Sequence, residues 1–287
     1  MSPICPNNFH YTKTVIIDTK QFSFLCLPIM ATILITGGTG LIGTALTREL
    51  VRKGHNVIIF TRRQRASAEP NISYAEWDVN NQIIDTAAIK KSDYIVHLAG
   101  ANVAEKRWTN KRKQEIVDSR VRSGELLAKA LKESPNNVKA VLSSSGIGYY
   151  GPDLPSKDRE TKAFVENDPP HNDFLATTVQ QWEKAIESVM DLGKRLVIFR
   201  TGIVLSNDGG AYKEFKNPLK FGLATVLGSG KQVISWIHIE DLVRLYLEAI
   251  QNDQWKGIYN AVTPYPVTNK KLIEEIAKDK FHIKGKV

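Results

Sequence analysis

Three features of the sequence predict an α/β fold built on a doubly wound parallel sheet. Short continuous apolar runs rich in Val and Ile alternate with longer amphipathic stretches, as expected when strands are buried on both faces and connected by helices. A glycine-rich turn joins the first apolar run to the first amphipathic stretch. The chain has 287 residues, 42% hydrophobic and 24% charged, enough to bury a sizeable core. This composition excludes a disordered chain, a collagen-like repeat and a coiled coil. No run of about 18 apolar residues occurs, so neither a spanning helix nor a membrane partner is expected.

In chain order, residues 1–29 do not share the pattern. Phe22–Met30 is a short apolar run broken by Ser and Pro, with no small-residue cleavage site after it, and Met30 stands where a start codon would. Residues 1–29 are therefore read as an extension, either a non-native start or a weakly ordered segment. Both cysteines, Cys5 and Cys26, fall within it, which excludes a disulfide framework for the remainder and makes a reducing cytoplasm the expected compartment. From there, strands are expected at Ile33–Thr36, Val57–Phe60, Tyr94–Ala99, Ala140–Ser145 and Leu196–Arg200. Helices are expected at Leu41–Lys53, Thr109–Glu133 and Phe174–Leu192, with right-handed crossovers between. Residues 30–205 form the predicted dinucleotide-binding domain. Residues 206–287 form a region that completes the sheet and caps a substrate.

The segment Ile33-Leu-Ile-Thr-Gly37-Gly38-Thr-Gly40-Leu41-Ile42-Gly43 carries the most specific chemistry. A G-x-G-x-x-G motif says little alone, but this one follows a strand, opens a helix and precedes a second strand. Its glycines allow a tight turn and let backbone approach a pyrophosphate at the helix N-terminus. A P-loop is rejected, because Thr44 stands where its lysine would be. At the end of the second strand, an NAD site usually has an acid for the ribose 2′-hydroxyl. Here the residues are Thr61-Arg62-Arg63, which suit a 2′-phosphate, so NADP(H) is expected over NAD(H). The net charge of +9, from 39 Lys and Arg against 30 Asp and Glu, suits such an anionic ligand.

Thr36–Gly43, His97-Leu-Ala-Gly100, Ser143-Ser-Ser145 and Tyr149-Tyr-Gly151 together resemble the extended short-chain dehydrogenase/reductases. Lys106-Arg-Trp108, Asp118-Ser-Arg120, Leu205–Ala211 and Ser235–Leu242 resemble an atypical branch of them, the NAD(P)-dependent epimerase family proteins, also described as cell-division-inhibitor-like. The similarity runs from about Met30 to about Ile276. It implies a Rossmann domain with a smaller substrate-capping region. It also implies NADP(H) contacts at Thr61, Arg62, Leu98, Ala99, Glu115, Arg120 and Val204, beside Gly37, Gly40, Leu41, Ile42 and Gly43 of the turn. Leu98 and Ala99 end a strand at the carboxyl edge where open α/β sheets bind ligands. Family members often pair through helices, so a homodimer is the expected assembly.

Catalysis is where the sequence departs from the pattern. Ordinary members place a Tyr-x-x-x-Lys pair on the helix after the serine strand, but here Phe174 and Thr178, or Leu175 and Val179, occupy those positions. Tyr212 and Lys216 have the spacing in the wrong structural slot. The remaining candidates are Ser145, which aligns with the strand-end serine, and Tyr149 and Tyr150, which have the right phenol chemistry. His238 is a further titratable group, read as a structural histidine. No histidine spacing fits a metal, and none is expected. Trp108 lies among five basic residues and could stack a base, but no nucleic-acid motif accompanies it and no such partner is expected. The function expected is oxidoreduction or epimerisation of an unidentified small molecule. Its alternative is a non-catalytic redox sensor or regulator. Finally, Lys270–Lys280 reads as an amphipathic helix and Phe281–Ile283 as the start of a strand, so the capping region is expected to be truncated at its C-terminus.

Overall fold

The computed structural model describes residues 30–63, 66–152, 163–219, 226 and 228–281, so the reading of residues 1–29 lies outside the described residues. The chain runs β1 (Thr32–Thr36), α1 (Leu41–Arg52), β2 (Asn56–Thr61), β3 (Ile72–Asp78), β4 (Ile83–Ile84), α2 (Thr86–Lys90), β5 (Tyr94–His97), α3 (Asn110–Glu133) and β6 (Ala140–Gly146). After a 3-10 turn at Ile147–Tyr150 come α4 (Phe174–Glu187), β7 (Arg195–Thr201), β8 (Ile203–Ser206), β9 (Gly209–Gly210) and α5 (Ala211–Leu219). The remainder is β10 (Val233–Ile234), β11 (Trp236–His238), α6 (Ile239–Gln251), β12 (Gly257–Ala261), β13 (Val267–Thr268) and α7 (Asn269–Phe281).

Eight strands form one sheet in the order β12-β7-β6-β5-β1-β2-β3-β4, parallel throughout except for the β3–β4 pair. The winding direction reverses between β1 and β5, which opens a crevice at their carboxyl ends. One apolar cluster, with Leu46, Leu50, Phe199, Leu242 and Tyr246, packs α1 and α6 on one face. A second, with Ile95, Leu127, Leu131, Val141 and Ile186, packs α3 and α4 on the other. A third, smaller cluster under α5 and α7 holds Leu219, Ile234, Leu272 and Ile276. The chain leaves the large sheet twice at one place: Gly202 N–H donates to Ala261 O at 3.2 Å, just where β7 and β12 end.

Several expected boundaries are corrected. β5 stops at His97 rather than Ala99, because its partner β1 ends at Thr36, where Gly37 turns the chain away. The helix expected to reach Leu192 stops at Glu187 and passes through a 3-10 turn at Met190–Leu192 to a left-handed Gly193. α7 runs through Phe281, so this residue closes a helix instead of opening a strand, and residues 282–287 lie outside the described residues. β3 was absent from the expected strands because its residues alternate between exposed and buried and so form no apolar run. No described helix is long and apolar enough to cross a membrane.

Phe199 is fully buried, with its ring edge-on to Tyr246 at 4.9 Å and tilted against Trp255 at 5.9 Å. Phe199→Ala should cost about 3–5 kcal/mol of unfolding free energy, read as a lower urea midpoint with little change in slope.

Candidate functional site

The crevice begins at the glycine turn. Gly37 has φ of +69° and packs directly on the β5 loop: a Cβ there would lie 2.9 Å from the carbonyl carbon and oxygen of Leu98. Gly43 is needed for close approach, since its Cβ would lie 2.5 Å from Gly37 O and Gly38 Cα. Gly40 caps α1 without a side chain, and no acid stands in the first turn. The first amides of the helix, those of Leu41, Ile42 and Gly43, therefore face the crevice end with no intrahelical acceptor and a positive dipole. Gly210 of β9 comes against the same turn, where its Cβ would meet Leu41 Cδ2 at 2.9 Å. Sequence reasoning missed this approach, because the contact is made across distant segments.

At the end of β2, Arg62 and Arg63 are exposed and make no ion pair among the described residues. Asp78 at the end of β3 has a carboxyl below its usual range, mainly through the Asn81 amides and to a smaller extent through Arg62. Thr61 accepts a long bond from Arg63 N–H at 3.5 Å.

The loop after β5 supplies the opposite wall. Leu98 and Ala99 both donate backbone N–H to Thr36 Oγ1, at 3.1 and 3.2 Å. Arg120 of α3 reaches over to Ala101 O at 3.1 Å, and its guanidinium lies 4.9 Å above the Trp182 ring. Burial, with a smaller contribution from Arg112, pushes Arg120 down to about 10, and no carboxylate pairs with it among the described residues. A half-buried guanidinium without a carboxylate among the described residues, in the same crevice as the free amides at the start of α1, fits an anionic dinucleotide. Glu115 instead gives its carboxylate to Arg112 at 2.8 Å, which holds it below its usual range. Val204 in β8 is half-buried against the same apolar cluster as Leu98.

Farther along the crevice, Arg200 of β7 is 2% exposed and bonds both carboxylate oxygens of Glu183 in α4, at 2.8 and 2.9 Å. A carboxylate held this way only accepts, so Ser145 donates its hydroxyl proton to Glu183 at 2.6 Å. Tyr150 accepts from Arg200 at 3.0 Å and donates to Asn260 Oδ1 at 2.7 Å. Burial raises its pKa above the ordinary phenol value despite the arginine. Tyr149 differs: Arg200 stacks on its ring at 3.4 Å, and its hydroxyl has no hydrogen-bond partner among the described residues. The sequence marked Ser145, Tyr149 and Tyr150. The structure ties two of these hydroxyls into the Arg200–Glu183 pair and leaves the third open. That pair was missed, since nothing near Arg200 or Glu183 in sequence names the other.

Phe174, at the start of α4, meets the Trp108 edge at 5.3 Å, with Lys113 Nζ 5.1 Å above it. Thr178 bonds back to Phe174 O at 2.7 Å. Tyr212 and Lys216 pair with one another on α5, with Nζ 5.2 Å above the ring. His238 caps α6 by accepting from Glu240 N–H at 3.4 Å.

The chain belongs to the NAD dependent epimerase/dehydratase family, whose model matches residues 33–261, and has the Rossmann fold of the extended short-chain dehydrogenase/reductases. Among curated relatives, it is 39% identical to the epimerase family protein SSP1921 of Staphylococcus saprophyticus, over 80% of this chain and 74% of the relative. Among solved structures, it resembles human epimerase family protein SDR39U1 (isoform 2) with NADPH. That likeness has a TM-score of 0.70 and 33% identity, over 84% of this chain and 77% of that one. It also resembles a nucleoside-diphosphate sugar epimerase of Corynebacterium glutamicum, with a TM-score of 0.72 and 32% identity. It covers 87% of this chain but 51% of that longer one.

Two outcomes follow from this geometry. Gly43→Ala must part the backbone of the turn, so dinucleotide binding should be lost in a fluorescence titration while circular dichroism stays native-like. His97, fully buried, is pushed down to about 4 by burial, so the unfolded chain protonates first as pH falls. Stability from the neutral ring is complete above about pH 6.5 and declines toward pH 4, by on the order of 3 kcal/mol. Urea titrations across that range should show the decline in the native chain and a smaller one in His97→Asn.

Proposed function

We propose that this chain is an NADP(H)-dependent oxidoreductase or epimerase acting on a small molecule that carries a secondary hydroxyl. The observation that carries the cofactor preference is the exposed Arg62–Arg63 guanidinium pair at the end of β2, in no ion pair among the described residues, where a site for a free 2′-hydroxyl would have an acid. The NADPH in the human relative supports this reading, and the likeness to the nucleoside-diphosphate sugar epimerase of Corynebacterium glutamicum suggests the substrate class. The dinucleotide, when bound, supplies hydride exchange at its nicotinamide ring. The amides of Leu41, Ile42 and Gly43 with Arg120 would hold its pyrophosphate, and Thr61 with Arg62 its 2′-phosphate.

The chain's own part is binding and proton transfer. Tyr149 carries the available phenol and would move a proton at the substrate oxygen. Ser145 has committed its proton to Glu183 and has only lone pairs left, so it would accept from a substrate hydroxyl rather than donate to a carbonyl. Tyr150 serves the Arg200 network. This assignment would replace the Tyr-x-x-x-Lys pair, whose expected places hold Phe174 and Thr178 or Leu175 and Val179. The same substitution favours a second reading, a dinucleotide-binding sensor without turnover in the cytoplasm. A homodimer is the proposed assembly, checked by sedimentation.

Arg62→Glu should weaken NADPH binding by about 1.5–3 kcal/mol and NADH binding much less; equal losses would remove Arg62 from the site. Turnover is measured with NADP(H) and a panel of sugar nucleotides, alcohols and carbonyls. Tyr149→Phe should abolish any turnover at unchanged NADPH affinity, whereas Tyr150→Phe should chiefly lower thermal stability. Saturable NADPH binding with no turnover across the panel would favour the sensor.

A further inference from the structure

Thr36 and His97 stand side by side where β1 and β5 end, on either side of the reversal in winding. Thr36 Oγ1 has three polar neighbours: Leu98 N–H at 3.1 Å, shared with the Thr36 carbonyl, Ala99 N–H at 3.2 Å, and His97 Nδ1 at 2.8 Å. A hydroxyl oxygen has two lone pairs and one proton. Two backbone amides can only donate, and they fill both lone pairs. The remaining contact must use the hydroxyl's own proton, so His97 Nδ1 is bare. The neutral ring then carries hydrogen on Nε2, facing Ser123 Oγ at 3.3 Å, and Ser123 in turn donates to Arg120 O at 2.9 Å. Every polar hydrogen in this line has an acceptor, Leu98 N–H being shared between two, and the line runs from the β5 loop through both strands to α3.

We propose that His97 is a positioning residue of the dinucleotide site: in its Nε2–H tautomer it takes the Thr36 proton, turns the Thr36 lone pairs toward Leu98 and Ala99, and so fixes the loop against which Gly37 packs. His97 is fully buried, so no solvent water replaces it. Thr36, equally buried, has no other acceptor for its proton among the described residues. Leu98 and Ala99 form the wall opposite the glycine turn, and Arg120 bonds Ala101 just beyond. A shift in this loop would therefore change the width of the crevice and the reach of the half-buried Arg120 guanidinium. The inference rests on the dinucleotide site itself, not on the preference for NADP(H).

The tautomer is read directly by nitrogen-15 NMR of the histidine rings in the full chain without dinucleotide. His97 should show a bare Nδ1 and a protonated Nε2 at neutral pH, and the reverse assignment overturns the proposal. Binding is read by NADPH fluorescence alongside thermal melting. Thr36→Val, which keeps the shape and removes the hydroxyl, should raise the dissociation constant about tenfold, while Thr36→Ser stays within about twofold. His97→Asn, whose Oδ1 can accept in place of Nδ1, should bind more tightly than His97→Leu at a comparable melting temperature. The double variant Thr36→Val/His97→Leu should be no weaker than the poorer single variant, because both cut one line. Equal affinities for Thr36→Val and Thr36→Ser, or fully additive losses, overturn the positioning role. Failure of the unmodified chain to bind either dinucleotide would remove the cofactor reading and the positioning role with it, while the tautomer assignment would stand on the NMR result.

Discussion

Arg200 keeps its positive charge under all ordinary conditions and lies almost wholly out of water, and much of the half of the crevice that holds Ser145, Tyr149 and Tyr150 is arranged around that fact. Desolvating such a group costs several kcal/mol unless its hydrogens are taken up. Glu183 takes two of them, the Tyr150 hydroxyl and the Glu166 carbonyl share a third nitrogen, and the Tyr149 ring covers the face of the cation. These partners come from α4, the turn after β6 and the segment before α4. Asn260 of β12 enters through Tyr150, and Glu166 bonds the Asn260 backbone amide. The charge thus ties four separate stretches to the end of β7, and it also sets which way Ser145 points its proton.

The two halves of the crevice answer the problem of buried charge in opposite ways. Around Arg200, the cation is compensated within the chain, which leaves no need for an outside anion. Around Arg120 and the start of α1, positive charge and amide hydrogens have no anionic partners among the described residues. A ligand with its negative charge at one end and a polar, uncharged reacting end matches that division. This is the charge distribution of a dinucleotide lying along the carboxyl edge with its phosphates toward β1 and β2.

The parallel sheet was legible because β1, β2, β5, β6 and β7 are buried on both faces and write continuous Val and Ile runs into the sequence. β3 and β12 were not, since β3 has one wetter face and β12, Gly-Ile-Tyr-Asn-Ala, is short, mixed in composition and mostly half-buried. The glycine turn was legible because its constraints are local: Gly37, Gly40 and Gly43 lie within seven residues, and their spacing encodes the turn. The Arg200–Glu183 pair and the Thr36–His97 bond join residues 17 and 61 positions apart, and no local pattern reports such distances. Tyr149 and Tyr150 show the limit most clearly. Adjacent and chemically identical, they differ only in which of them the buried arginine engages through its hydroxyl.

The double exit from the large sheet has a mechanical consequence. The segment from Gly202 to Trp255, which carries β8, β9, α5, β10 and β11 and then α6, departs beside the end of β12, where Ala261 leaves for β13 and α7. Ile203 N–H and Thr263 N–H then each bond the Ser235–Trp236 strand, at 2.9 and 2.7 Å. α6 follows β11 directly and packs back on the large sheet, so the smaller layer is fastened at a third place as well as at the paired exit. Gly210 of that layer lies against Leu41 of the glycine turn. The start of α1 is thus walled on one side by a strand pair whose seating is fixed far away in the sequence, and an error in that seating would be felt at the turn.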